Sequence, residues 1–116
     1  MSKIELISGI SSLESEKPRE NCAVVGAYSR SSDVARIAVN GLVELNHRGQ
    51  EGSGITLANG CEFQTVKDSG LAGIVFTVKH SLPYLSGAFV AIGHNRYSTS
   101  GSLAETQPFV ENDIAI

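Results

Sequence analysis

The dipeptide Asn59-Gly60 predicts a tight turn at which the chain reverses its direction. Asn-Gly is the strongest short signal for a β-hairpin, since both residues tolerate the positive φ that the turn requires. Residues 54–57 and 62–66 flank the pair as short strand-like runs. The sequence therefore predicts two antiparallel strands joined at this point.

Other short elements follow the same pattern of apolar runs separated by turns. The run at 22–28 is apolar and β-branched, and residues 88–92 form a second such run, so both are predicted as buried strands. Asn112-Asp113 predicts a further turn, between residues 109–110 and 114–116. Residues 71–78 fit either a helix or a strand, and Pro83 is expected to end that element.

One amphipathic helix is predicted over residues 33–46. Apolar residues recur there at helical spacing, and Ser31, Ser32 and Asp33 are N-cap candidates. Short strands joined by hairpin-like turns, together with helices, indicate an α+β domain built on antiparallel sheet.

The first 21 residues differ in composition from the rest. Seven of them are charged, and no continuous apolar stretch follows, so the segment is not a signal peptide. We expect residues 1–21 to be a leader and residues 22–116 to be one incomplete domain, because the chain stops inside an apolar strand.

Composition narrows the classes of function. The net charge of −3 argues against a nucleic-acid surface, and no apolar run is long enough for a membrane helix. Two cysteines, Cys22 and Cys61, are too few for a disulfide framework and lack the spacing of a zinc site. The cytoplasm is the default location, and Cys61, beside the turn, is interpreted as structural.

Cys22 has two interpretations. A cysteine that opens an apolar run is usually a small core residue. If the leader is removed after Asn21, however, Cys22 gains a free α-amine with a pKa of about 8, and one residue then supplies both nucleophile and base.

Two segments that contain basic residues also have alternative interpretations. His47-Arg48-Gly49 fits a helix C-terminus, where cations face the helix dipole and glycine caps the end. Arg96, in a loop after the predicted strand 88–92, is either solvated or the bidentate clamp for a carboxylate, with neighbouring hydroxyl residues completing an amino-acid pocket.

Taken together, these segments resemble the class II glutamine amidotransferases, which are N-terminal-nucleophile hydrolases, and within them the amidophosphoribosyltransferases. The resemblance covers residues 22–116. Its motifs are Cys-Ala-Val-Val-Gly at 22–26, Leu-Asn-His-Arg-Gly-Gln at 45–50, Gly-His-Asn-Arg-Tyr-Ser-Thr at 93–99 and Thr-Gln-Pro at 106–108. His47, Gln50 and Tyr97 separate the chain from glucosamine-6-phosphate synthases and asparagine synthetases.

The resemblance implies a four-layer αββα sandwich of two antiparallel sheets, incomplete at the C-terminus. It implies that Cys22 attacks the side-chain amide of glutamine and releases ammonia for 5-phosphoribosylamine formation in purine synthesis. Arg96 is then expected to hold the glutamine α-carboxylate and Thr99 to line the site. Arg48 and Gly49 are expected to form the wall beside the nucleophile.

The resemblance also implies features that this chain does not contain. The family's oxyanion-hole Asn-Gly pair, an aspartate for the glutamine amine and the phosphoribosyltransferase domain would all follow residue 116. We therefore expect the chain alone to be inactive, with no cofactor in this segment and Mg²⁺ only in the missing domain. A homo-oligomeric parent is expected. A non-catalytic glutamine-binding or regulatory module on the same scaffold is the alternative.

Overall fold

The computed structural model describes residues 5–10, 22–45, 50–97 and 106–116. Seven strands and one regular helix make up most of these residues. The strands are β1 (Glu5–Ile10), β2 (Ala23–Tyr28), β3 (Gln50–Ala58), β4 (Phe63–Ser69), β5 (Val90–Tyr97), β6 (Val110–Glu111) and β7 (Ile114–Ala115). The helix α1 (Val34–Glu44) joins β2 to β3, and a short helix α2 (Ala72–Ile74) runs into a π-helical turn over Val75–Lys79.

Five strands form one antiparallel sheet in the order β1-β2-β5-β3-β4. The predicted strand at 22–28 is confirmed as β2, which begins one residue after Cys22. β5 lies in the middle of the sheet, between β2 and β3. Residues Val90 to Asn95 of β5 therefore have strand partners on both sides.

β1 was not expected from the sequence. It lies within residues 1–21, which the sequence predicts as a polar leader, yet Glu5–Ile10 pairs along the whole of β2. The register runs from Glu5 opposite Tyr28 to Ile10 opposite Ala23. Removal of residues 1–21 stays a prediction, and β1 forms the edge of the sheet next to the strand that follows Cys22.

The predicted helix is confirmed, with Asp33 as its N-cap. The Asp33 carboxylate accepts hydrogen bonds from the backbone N–H groups of Ala35 and Arg36, at 3.0 and 3.3 Å. Such a cap satisfies N–H groups that have no partner within the helix. The apolar side of α1 packs on β2, β3 and β5, and the core contains Leu42, Val25, Ile55 and Ala91, all fully buried.

The predicted hairpin is also confirmed, and its strands are longer than expected. Asn59 Oδ1 accepts hydrogen bonds from the backbone N–H groups of Cys61 and Glu62, at 2.8 and 2.9 Å. Gly60 has a φ of +92°, which glycine adopts without steric cost. The second predicted turn is present between β6 and β7, where Asn112 has a φ of 55°.

The ambiguous segment at 71–78 is helical. Ala72–Ile74 and the π-helical turn bury Val75 and Phe76 against the core, while Val78 stays exposed. The expected end at Pro83 is wrong, since the helical backbone stops at Lys79 and His80 is extended.

The two faces of the sheet are covered differently. Side chains alternate between faces along a strand, so Ala23, Val25 and Ala27 face α1, whereas Val24 on the opposite face is 52% exposed. Residues 106–109 cross that opposite face before the β6–β7 hairpin begins. The antiparallel α+β architecture is thus established, and the second pair of layers of a four-layer sandwich stays a prediction. No helix among the described residues is long and apolar enough to cross a membrane.

Candidate functional site

Cys22 and Arg96 lie at adjoining ends of two paired strands. Ala23 on β2 pairs with Asn95 on β5 as the last pair of these two strands, with Cys22 immediately before Ala23 and Arg96 immediately after Asn95. Arg96 belongs to the face of the sheet that α1 does not cover. Cys22 is half-buried. The arrangement therefore places a residue with a thiol and a residue with a guanidinium at the same end of the sheet.

Arg96 is inside a strand, which corrects the expectation of a loop. β5 runs to Tyr97, five residues beyond the predicted strand end at residue 92. Arg96 is only 8% exposed and pairs with Gly52 on β3. The solvated interpretation of Arg96 is wrong, because its side chain is buried.

His94 lies two residues before Arg96 on the same face and is 5% exposed. Burial, and then the positive charge of Arg96, lower the pKa of His94 from 6.5 to about 4. Its imidazole is therefore neutral at physiological pH. Nδ1 accepts a hydrogen bond of 3.3 Å from the backbone N–H of Gln107, so this nitrogen carries no proton.

A segment that we call the strap, Thr106-Gln107-Pro108, lies across this face of the sheet. It fits closely because β3 has glycine at two positions beneath it. A Cβ on Gly52 would come within 2.5 Å of Thr106 Oγ1, and a Cβ on Gly54 would meet the backbone oxygen of Gln107. Thr106 is fully buried as a result.

Lys67 on β4 holds the other side of the strap. Its Nζ donates to the backbone oxygens of Thr106 and Pro108, at 2.8 and 3.2 Å. The same ammonium lies 4.6 Å from the centroid of the Phe109 ring, within the range of a cation–π contact. Three strands, β3, β4 and β5, thus fix the position of the strap.

A buried polar network lies on the helix side of β5, and sequence reasoning missed it. Asn95 Nδ2 donates to the backbone oxygen of Leu42 at 2.9 Å, near the end of α1. The Ser53 hydroxyl lies 3.0 Å from Asn95 Oδ1 and 3.2 Å from the backbone oxygen of Gly70. Asn95 stands between His94 and Arg96 in the sequence, so no local pattern indicated that its amide would be buried and would need partners.

Three of the residues predicted for the site, Arg48, Gly49 and Thr99, lie outside the described residues. Cys61 is exposed in the hairpin turn at the opposite end of β3 from Gly52. Among the described residues, no group of three or more His, Cys, Asp or Glu side chains could hold a metal ion. That a cofactor is not needed in this segment stays a prediction.

Fold and site together define an antiparallel α+β domain with a cysteine and a buried arginine at the same end of two paired strands, an arrangement compatible with the N-terminal-nucleophile hydrolases. Sequence relatives point to one family within this class of proteins. The chain is homologous to amidophosphoribosyltransferases, which confirms the resemblance predicted from its motifs.

Three relatives show the extent of the match. The amidophosphoribosyltransferase of Mycobacterium tuberculosis is 43% identical over 100 residues, which are 84% of this chain and 19% of the relative. Amidophosphoribosyltransferase 2, chloroplastic, of Arabidopsis thaliana is 48% identical over 98 residues, or 82% of this chain and 17% of the relative. The amidophosphoribosyltransferase of Pyrococcus horikoshii is 47% identical over 96 residues, which are 83% of this chain and 20% of the relative.

The chain thus spans about a fifth of the length of these relatives. No family model matches it, and no solved structure matches it significantly.

Proposed function

We propose that this chain is the glutamine-hydrolysing part of an amidophosphoribosyltransferase, with Cys22 as the nucleophile. The observation that carries the proposal is the pairing of Ala23 with Asn95, which places Cys22 and the buried Arg96 at the same end of β2 and β5. A thiol and a guanidinium at adjoining strand ends are what an enzyme needs to attack one end of an amino acid while holding the other. The homology to amidophosphoribosyltransferases supports the same assignment.

The chemistry begins with removal of residues 1–21, which gives Cys22 a free α-amine. The amine accepts the thiol proton, and the thiolate attacks the side-chain amide carbon of glutamine. The C–N bond breaks, and the nitrogen leaves as ammonia after the amine returns the proton. Water then attacks the thioester, giving its proton to the amine. The C–S bond breaks, glutamate leaves and the thiol re-forms.

Arg96 binds the α-carboxylate of glutamine in this proposal. A guanidinium donates two parallel hydrogen bonds to a carboxylate, and its planar fork fixes the direction of the ligand. A central strand is a rigid support for that purpose. Thr99 is proposed to line the same site, and Arg48 and Gly49 to form the wall beside the nucleophile. These three roles follow from the resemblance alone.

The wider context is also part of the proposal. In a complete protein, a phosphoribosyltransferase domain would use the ammonia to make 5-phosphoribosylamine for purine synthesis, and Mg²⁺ would belong to that domain. A four-layer αββα sandwich, a homo-oligomeric parent and a cytoplasmic location complete the proposal. The cysteine chemistry in this segment needs no cofactor, since thiol and amine supply nucleophile and base.

The proposal is tested with Cys22→Ser in the full natural protein. We expect glutamine-dependent formation of phosphoribosylamine to fall to background while formation from free ammonia is retained, because only the ammonia source is lost. Cys61→Ser is the matched control, since Cys61 is exposed in a distant turn, and both activities should stay at the wild-type level.

Two outcomes would contradict the proposal. If Cys22→Ser retains glutamine-dependent activity, Cys22 is not the nucleophile. If the wild-type protein binds glutamine but forms no glutamate, the alternative of a non-catalytic glutamine-binding module is correct.

A further inference from the structure

We propose that Lys67 is a positioning residue for the glutamine site and acts through the strap, Thr106-Gln107-Pro108. This inference rests on the proposed function. Lys67 lies on β4 and pairs with Gly54 on β3, which in turn pairs with His94 on β5. One strand, β3, therefore separates Lys67 from β5. Any effect of Lys67 on Arg96 must pass through an intermediate segment, and the strap is the segment that contacts Lys67 and the neighbours of Arg96.

The first step is the contact of Lys67 with the strap. One ammonium group donates to the backbone oxygens of both Thr106 and Pro108, at 2.8 and 3.2 Å. Two bonds from one charged donor to carbonyl oxygens two residues apart fix both the position and the curvature of the segment between them. Hydrogen bonds that involve a charged group are stronger than neutral ones.

The second step is the contact of the strap with the neighbours of Arg96. Thr106 lies over Gly52, which is the cross-strand partner of Arg96 on β3. The backbone N–H of Gln107 donates to His94, two residues from Arg96 on the same face of β5. The strap is thus held between two residues that both adjoin Arg96.

The third step is the lack of free space. Thr106 is 1% exposed, and glycines at 52 and 54 leave just enough room for the strap. A segment packed this closely has one position while Lys67 holds it. Loss of the ammonium would allow the strap to rise from β3, and the packing on Gly52 and His94, the neighbours of Arg96, would then loosen.

The position of Arg96 affects binding of the amino-acid end of glutamine, whereas Cys22 reactivity depends on the thiol and its base. Lys67→Met keeps the length of the side chain and removes the donor, so we expect the KM for glutamine to rise about tenfold or more, with a smaller change in kcat. Lys67→Arg keeps a cationic donor and should restore most of the wild-type KM. Ammonia-dependent activity should not change.

Alkylation of the Cys22 thiol gives a second readout that does not require turnover. Two reagents are compared in the full natural protein: iodoacetamide, and a glutamine-shaped chloroketone that carries the α-amino and α-carboxylate groups. Lys67→Met should slow the chloroketone about tenfold and leave the iodoacetamide rate unchanged. Lys79→Met is the matched control, because Lys79 is an exposed lysine whose Nζ bonds Ser69 and not the strap.

The outcomes separate this inference from the proposed function. If neither reagent is slowed, or if both are slowed equally, Lys67 does not act through the glutamine site and the inference is wrong. If Cys22→Ser keeps its glutamine-dependent activity, the proposed function itself has failed. Thermal unfolding of Lys67→Met shows whether the variant is folded, and Lys67→Arg still tests the inference if it is not.

Discussion

Ala23 pairs with Asn95 at the point where β2 begins and β5 approaches its end, with Cys22 immediately before Ala23 and Arg96 immediately after Asn95. Cα atoms of cross-strand neighbours are about 4.5–5.5 Å apart. The Arg96 side chain is long enough to place its guanidinium farther from the Cys22 thiol than this Cα spacing. Cys22 and Arg96 can therefore contact two different groups of one small ligand, and the pairing of Ala23 with Asn95 holds the two chain segments together at this end of the sheet.

Replacing Arg96 with lysine should weaken glutamine binding more than it slows the chemical step. Lysine keeps the charge but cannot form the bidentate pair with a carboxylate. We expect the KM for glutamine to rise by about tenfold or more and kcat to change less, as measured by steady-state kinetics of glutamate release. Arg36→Lys, on the exposed side of α1, is the matched control. An unchanged KM would show that Arg96 does not bind the substrate.

The active protein should begin at Cys22. Only a cysteine at the N-terminus has the α-amine that the proposed mechanism uses as base. The mass of the intact protein purified from its natural host should therefore correspond to loss of residues 1–21. Fully active protein that retains residues 1–21 would rule out the α-amine as the base.

Gly54→Ala should displace the strap and destabilise the protein. The added methyl group would meet the backbone oxygen of Gln107, and no change of rotamer can relieve a contact with backbone. We expect a loss of about 1–3 kcal/mol in the free energy of unfolding, measured by chemical denaturation.

Gly73→Ala is the matched control for this prediction. Its Cβ would have its nearest neighbour, Val43 Cγ2, at an ordinary contact distance of 3.9 Å, so little change is expected. Equal stability of the two variants would show that the strap does not lie on Gly54.

His94 should make the folded state sensitive to mild acid. Its pKa is lowered from 6.5 to about 4, so the unfolded chain binds a proton over that range while the folded chain does not. The stability linked to His94 is therefore present near neutral pH and is lost as the pH falls from 6.5 towards 4. The expected loss between about pH 7 and about pH 5 is up to about 2 kcal/mol.

The measurement is the free energy of unfolding at these two pH values for the wild type and His94→Gln. Glutamine can accept the hydrogen bond from Gln107 but does not titrate. The pH-dependent loss should be smaller in the variant by about the same amount. An identical loss in both proteins would show that His94 does not remain neutral in the folded state.

Local signals in the sequence predicted the elements that depend on local contacts. Asp33 caps α1 through N–H groups two and three residues away, and Asn59 closes its hairpin in the same way. Such contacts leave a pattern within a few residues of sequence, so both elements could be predicted, with boundaries accurate to within a few residues.

Contacts between distant residues could not be predicted in this way. Ser53 and Asn95 are 42 residues apart, and their hydrogen bond explains how β5 continues through a polar sequence. The strand was therefore predicted to end before His94, and Arg96 was assigned to a loop. The contacts of Lys67 with the strap are equally long-range. β1 was missed because the charged residues among the first 21 favoured a polar leader over a strand.

The pairing of β1 with β2 has a consequence for processing at residue 22. While the chain is intact, β1 is tethered to its partner, and the tether maintains a high effective concentration of the strand. A cut before Cys22 would convert this pairing into a complex of two molecules, whose occupancy falls on dilution. The cut that creates the nucleophile would then also release a strand, and it would leave the backbone of β2 open to another extended segment.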